Sequence, residues 1–199
     1  MKRLFDIVFS FLGLIFLSWL FIIIALAVGL TSKGGVFYKQ KRVGRYNKDF
    51  VLYKFRSMKV DSDKKSLITI GNRDSRITSV GYFIRKYKLD ELPQLLNVFK
   101  GDMSFVGPRP EVRYYVDMYT DDQKKVLDFR PGITDPASIA YRNENELLST
   151  KDNPKEYYIQ FVMPDKIRIN LQYQAKRTFF SDIKIIFLTI FPSNQPLKF

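Results

Sequence analysis

Neither cysteine nor histidine occurs among the 199 residues. The first absence removes disulfides and thiolate chemistry; the second removes the imidazole base and imidazole metal ligands. Any catalysis falls to carboxylates, Lys, Arg, Ser, Thr or Tyr, with a hard, oxygen-bound cation as the metal chemistry left open. Acidic residues are also short: 20 Asp and Glu face 33 Lys and Arg, for a net charge of +13. Such an excess suits an anionic partner, yet 46% hydrophobic residues and 18 Phe exclude a disordered basic tail. The length allows one domain of ordinary size.

Charge is missing altogether from Ile7 to Ser32, a run of 26 residues. A helix of that length reaches about 39 Å, against roughly 30 Å for the hydrocarbon of a bilayer. No soluble core accommodates it comfortably, so residues 1–32 are expected to enter a membrane. Lys2, Arg3 and Ala25-Leu26-Ala27 imitate a signal peptide with its cleavage site, but Ile7 to Ile24 exceeds the roughly 7–15 residues of a signal core. Basic residues flank the run on both sides: Lys2 and Arg3 before it, and between Lys33 and Lys59 nine basic residues against the single acid Asp49. Both flanks are drawn to the cytoplasm. A helix that dips in, bends and returns satisfies both, and Ser18 is the expected bend point because its hydroxyl can bond a preceding carbonyl. The positive charge beside the run has a sufficient cause in the bilayer, so no nucleic-acid partner is inferred.

The remainder, residues 33–199, is expected to form an α-rich α+β body with a small β-hairpin. Val36-Phe37-Tyr38 and Phe50 to Tyr53 are the strand candidates, with a turn at Gly34-Gly35. Residues 61–78 are polar and expected to be a mobile loop. Ser79 should cap a helix to about Tyr87, with Val80, Phe83, Ile84 and Tyr87 on one stripe. A second helix is expected from Leu89 or Asp90 to just before Gly101, with Leu92, Leu95, Leu96 and Phe99 inward. The prolines of Val106 to Pro110 demand an extended loop, and Arg130 to Thr134 reads as another. Tyr114 to Leu127 reads as helical, and Pro154 to Gln174 as helical with a break at Pro164. The segment Phe179 to Phe191 is too short and too charged to span; it suits an interfacial helix with Asp182 and Lys184 near water, or a core-packed one.

Asp90-Glu91 is the pair that carries chemistry. Acids are welcome at a helix start for purely structural reasons. The company argues further: Arg85, Lys86 and Lys88 precede the pair, and the two proline-fixed loops contribute Arg109 and Arg130. Cations around a helix N-terminus can hold a phosphate or pyrophosphate. An ionised aspartate needs no base to act as a nucleophile, and a Mg²⁺ shared by carboxylate and phosphate oxygens offsets charge repulsion in the attack.

Several stretches, in order, resemble the bacterial sugar transferase family, the monotopic phosphoglycosyl transferases. They are Lys2-Arg3-Leu4-Phe5-Asp6, Lys54-Phe55-Arg56-Ser57-Met58, Ile84-Arg85-Lys86, Leu89-Asp90-Glu91-Leu92-Pro93-Gln94, Asn97 to Ser104, Val106-Gly107-Pro108-Arg109-Pro110 and Arg130-Pro131-Gly132-Ile133-Thr134. The resemblance implies a membrane-embedded, non-spanning enzyme of the bacterial inner membrane with its catalytic domain, residues 33–199, at the cytoplasmic face. It implies that Asp90 attacks the β-phosphate of a UDP-sugar, releasing UMP, and that undecaprenyl phosphate then takes the phosphosugar from the carboxylate. Glu91 would bind Mg²⁺, with Asp90, or assist proton removal. Arg85, Lys88, Arg109, Arg130, Lys54 and Arg56 would contact phosphate or nucleotide. The resemblance also implies the minimal catalytic form, without the extra spans of larger relatives, and allows a homodimer.

Three positions depart from the family pattern. Ser18-Trp19 stands where many relatives have Ser-Pro, which weakens the case for a sharp kink. Asp135-Pro136-Ala137-Ser138 replaces a more common Gly-apolar-Ala-Gln stretch and is expected to shape sugar choice. Asn170 stands where many members carry Asp. The competing reading is a non-catalytic basic protein that binds anionic lipids through residues 33–59, at roughly 1 kcal/mol per basic residue.

Overall fold

The apolar run folds as two helices. In the computed structural model, which describes residues 1–62 and 74–191, α1 spans Lys2–Phe16 and α2 spans Ser18–Thr31, with 62° between them. The bend falls at Leu17 (φ −94°, ψ 4°), one residue before the expected Ser18, and it is sharp without proline. Leu17 takes up the bend by sitting in the bridge region. Its N–H still bonds Gly13 O at 3.0 Å and its carbonyl still accepts from Phe21 N at 2.9 Å. No single helix among the described residues is long and apolar enough to cross a membrane; the bent pair is, by length and composition.

Both arms of the pair lie against the body. Phe11 stacks on Phe99, a Cβ on Gly13 would lie 3.2 Å from Leu95, and Phe21 meets Phe55 edge-on. Ile24 and Val28 are buried with Phe55 and Ile84. The start of α1 is fastened by polar bonds. Lys2 Nζ donates to Val106 O (2.6 Å) and Asp182 Oδ2 (2.7 Å), and Arg3 donates to Val98 O (2.6 Å) and Phe99 O (2.8 Å). The buried Asp6 carboxylate accepts from Ser104 Oγ and Phe105 N.

The hairpin forms as expected from β1 (Phe37–Val43) and β2 (Asp49–Phe55), antiparallel with Phe37 opposite Phe55 and Val43 opposite Asp49. Residues 63–73 of the expected polar loop lie outside the described residues. Helix α3 (Ser79–Lys86) is capped by Thr78, not Ser79: the Thr78 hydroxyl accepts from Gly81 N at 2.9 Å. Its stripe is narrower than expected, with Ile84 buried and Phe83 and Tyr87 exposed and touching each other.

The second expected helix is split. Leu89–Glu91 is one 3-10 turn, and α4 (Gln94–Lys100) begins only after Pro93, ending at Gly101 (φ 99°). Asp90 therefore does not sit on a helix N-terminus. The buried face of α4 is Gln94, Leu95, Asn97 and Val98, whereas Phe99 is exposed. Asn97 explains the rotation: its side chain accepts from Tyr53 N and donates to Val51 O, docking α4 on the edge of β2.

A second, parallel pair was read as loops in the sequence. β3 (Ser104–Val106) pairs with β4 (Gly132–Thr134), continued by Gly107 N to Thr134 O (3.0 Å) and Gly132 N to Pro108 O (3.0 Å). The backbones touch at two glycines: a Cβ on Gly132 would lie 2.1 Å from Gly107 N, and one on Gly107 2.2 Å from Arg130 O. The expected helix at Tyr114 to Leu127 is instead a set of short turns, interrupted by a Thr120–Gln123 capping box. Two short helices follow, α5 (Pro136–Ala140) and α6 (Glu144–Ser149). The expected break at Pro164 is absorbed by a π turn over Tyr158–Val162. Pro164 then lies in the first turn of α7 (Met163–Lys176), where a missing N–H is tolerated. Helix α8 (Phe179–Ile190) packs Ile185 against Val106 and Tyr173 while Phe180, Phe187 and Ile190 are exposed; Asp182, expected near water, is instead buried, accepting from Lys2 Nζ and Tyr173 Oη.

Gly132→Ala is expected to lose about 3 kcal/mol or more, because backbone must move on both strands. Gly35→Ala, at φ +82° in open space, is expected to lose only about 1 kcal/mol. Thermal or denaturant melts of the two variants in detergent check the contrast.

Candidate active site

A cleft of about 310 Å³ opens between the hairpin, the turn before α4, the loop after β3 and helix α7. Lys54, Arg56, Arg85, Asp90, Arg109 and Glu111 are among its lining residues. Lys54 comes from β2. Arg109 is held out from β3 by Pro108 and Pro110, whose fixed φ makes the loop stiff. Asp90 and Glu91 come from the 3-10 turn, entered through Lys88 in the left-handed region (φ 58°).

The two neighbouring acids have different surroundings. Glu91 is turned away from the cleft and clamped: its Oε1 accepts from Lys54 Nζ at 2.8 Å and from Arg109 Nη2, and its Oε2 from Arg109 Nη1 at 3.3 Å. Burial alone would raise its pKa, but Arg109 and Lys54 outweigh that and hold it well below the usual carboxylate range. Asp90 lines the cleft, is 5% exposed, and accepts no hydrogen bond from the described residues. Burial pushes its pKa up and Glu91 adds to the rise, against the pull of Lys54, Arg85 and Lys88. Burial likewise lowers Lys54 despite its partner.

The other expected site residues divide. Arg85 lines the cleft, as does Arg56, whose guanidinium also donates to Gly35 O and Phe37 O. Lys88 is exposed and acts on Asp90 only through its charge. Arg130 is not in the cleft wall. Its charged surroundings are Arg3, Arg45, Asp6 and Asp102, and its loop serves the β3–β4 pairing. Asp135-Pro136-Ala137-Ser138 is also outside the wall: Asp135 is fully buried and caps α5, accepting from Ser138 N and Oγ. Glu91's oxygens accept from Lys54 and Arg109, which leaves Asp90 as the acid of the pair on the cleft wall. Among the described residues no group of three potential ligands gathers. Asp90 fits an ion that draws its other ligands from phosphate oxygens and water, as Mg²⁺ does.

Sequence reasoning missed the middle of the cleft. Glu111 accepts from Arg42 Nη1 (3.1 Å), Tyr158 Oη (2.6 Å) and Val112 N (2.8 Å). Burial, then Glu111, raises Tyr158 well above the ordinary phenol range, and the same causes push Tyr115 up to about 12. The signal available was Glu111 immediately after the Pro108-Arg109-Pro110 loop.

Residues 1–194 match the bacterial sugar transferase family, and the chain belongs to it. It is 37% identical over 195 residues to the UDP-glucose:undecaprenyl-phosphate glucose-1-phosphate transferase of Escherichia coli K12, covering 96% of this chain and 39% of that protein. It is 37% identical over 190 residues to the uncharacterized sugar transferase EpsL of Bacillus subtilis, covering 96% and 85%. A third relative is the undecaprenyl-phosphate galactose phosphotransferase of Salmonella typhimurium, 44% identical over 160 residues, covering 72% and 33%. The chain thus spans well under half of the first and third of these proteins.

Glu91→Gln leaves Lys54 and Arg109 without their counterion, and is expected to cost about 3 kcal/mol at pH 7. Because folding depresses the Glu91 pKa, the carboxylate's contribution is complete above the unfolded value of about 4.3 and fades as pH falls below it. Melts of both proteins at neutral and acid pH should therefore converge toward the acid end.

Proposed function

We propose that this chain transfers a sugar-1-phosphate from a UDP-sugar to undecaprenyl phosphate, the first membrane step of a glycan assembly route. The observation that carries the reading is a buried aspartate on a cleft wall with no hydrogen bond from the described residues, beside three cations that suit a diphosphate. One Asp90 oxygen attacks the β-phosphorus, the bond from that phosphorus to the bridging oxygen breaks, and UMP leaves with the electron pair. The sugar phosphate is then an acyl phosphate on Asp90. A phosphate oxygen of the lipid acceptor attacks the same phosphorus, the carboxylate departs, and the product is a polyprenyl diphosphate sugar. Its raised pKa makes Asp90 a stronger nucleophile once ionised. Arg109 and Lys54, fixed on Glu91, present positive charge to the phosphates without having to reorganise. Arg85 and Arg56 add charge to the same wall. Mg²⁺ held by Asp90 and substrate oxygens would supply further charge neutralisation. The Escherichia coli and Salmonella relatives both support the lipid acceptor, and the first, a UDP-glucose enzyme, also supports the donor class.

The site belongs at the cytoplasmic face of the bacterial inner membrane. Phe9, Phe16, Trp19, Ile22 and Leu26 on α1–α2, and Phe180 and Phe187 on α8, are half or more exposed, an area that a soluble monomer does not leave to water. Contacts at Phe5, Gly13, Phe21 and Val28 keep both arms of the bent pair on one body, which supports re-entry over crossing.

Asp90→Asn is expected to lower UMP release from a UDP-sugar by about 10³-fold or more while membrane association persists. Mass spectrometry of the wild type should detect a phosphosugar on Asp90; normal turnover by the variant would sink the covalent scheme. Deprotonated Asp90 is the reactive form, so kcat/KM should fall as pH falls, with the acid limb above the ordinary aspartate value of about 4. For topology, cysteines placed after Met1 and at Lys41 should react with an impermeant reagent from the same side of the membrane.

A further inference from the structure

We propose that Asn170 is a specificity-determining residue of the donor site: its buried amide oxygen accepts a hydrogen bond from an uncharged O–H or N–H of the bound nucleotide sugar. The inference rests on the reading of the cleft as a UDP-sugar site. On α7 the residues Met163, Ile167 and Tyr173 set a buried stripe at helical spacing, and Asn170 falls in the same stripe, where the pattern calls for an apolar side chain. Asn170 is 5% exposed, and its Oδ1 is buried with no hydrogen-bond partner. An amide oxygen removed from water and left unpaired weakens the fold, and native interiors seldom contain one without a reason. Leucine would fill a similar volume without that cost, and among the described residues none supplies the missing partner, which leaves a place for a bound one. Asn170 lines the same cleft as Asp90, which gives such a partner a place to bind.

The chemistry of the two walls assigns the parts of the ligand. Lys54, Arg85 and Arg109 stand with Asp90 and suit the diphosphate. Around Asn170 the α7 wall offers Met163 and Ile167, and its cation Lys166 is already neutralised by Glu144 at 2.6 Å. An anion gains little on that wall, whereas a polar hydrogen on a neutral group meets an acceptor with no competing bond. A UDP-sugar carries such hydrogens on its uridine half, at the uracil imide N–H and the ribose hydroxyls, and on its sugar half, at the hexose hydroxyls and any acetamido N–H.

The experiment uses the full chain in detergent, as wild type, Asn170→Ala and Asn170→Leu. UMP release is measured with UDP-glucose, UDP-galactose and UDP-N-acetylgalactosamine, together with inhibition by UMP alone and thermal melting. KM for the preferred donor should rise roughly tenfold in both variants with kcat within about threefold, and Asn170→Leu should melt no lower than wild type. If the uridine half supplies the hydrogen, UMP inhibition weakens by the same factor and the ranking of sugars holds. If the hexose supplies it, UMP inhibition is unchanged and the ranking shifts. Wild-type KM, ranking and UMP inhibition in both variants would overturn the proposal, whether or not melting changes. A wild type that releases UMP from no UDP-sugar would overturn the donor reading and this inference with it.

Discussion

One carboxylate that does not face the cleft organises everything that does. Glu91 draws Lys54 from β2 and Arg109 from the proline-stiffened loop after β3, so three segments distant in sequence meet on two oxygen atoms. Burying three charged groups is costly, and the arrangement holds because each finds hydrogen-bonded opposite charge. Its consequence appears one residue away. With Glu91 satisfied and its negative charge neutralised, the same cations still act on Asp90, but burial dominates there and the shift runs the other way. Adjacent acids are thus driven apart in pKa by their surroundings, which supports assigning them the different roles proposed above.

The family stretches likewise separate into those that build and those that line the cleft. Arg130-Pro131-Gly132-Ile133-Thr134 belongs to the builders: it supplies the parallel partner of β3 and the glycine contact that lets Gly107 approach. Lys2-Arg3-Leu4-Phe5-Asp6 is a builder too, because its polar atoms bond backbone and side chains of β3, α4 and α8. Lys54, Asp90 and Arg109 remain with the cleft.

The run of apolar residues, the hairpin and the Asp90-Glu91 pair could all be read along the chain, because each is a local pattern of hydrophobicity or charge. What could not be read depends on contacts between distant segments. The β3–β4 pair is three residues long on each strand, too short to show alternation. The face of α4 is set by Asn97 reaching β2, a polar residue that the apolar stripe rule assigns to water. Thr120 and Pro164 were visible, but whether a cap splits a helix or a proline opens a π turn was decided by packing around Tyr158 and Val162. The 62° bend at Leu17 likewise arises where α1 rests on α4 and α2 on Phe55, with no proline to announce it.

The bonds that fasten the start of α1 join residues 95 to 180 positions apart. During synthesis the bent pair emerges before Val98, Val106 and Asp182. Its greasy surface needs shelter until those segments follow, and the strap from Lys2 closes only once Asp182 has been made. Such long sequence separations make docking of α1 wait for the segments it is fastened to.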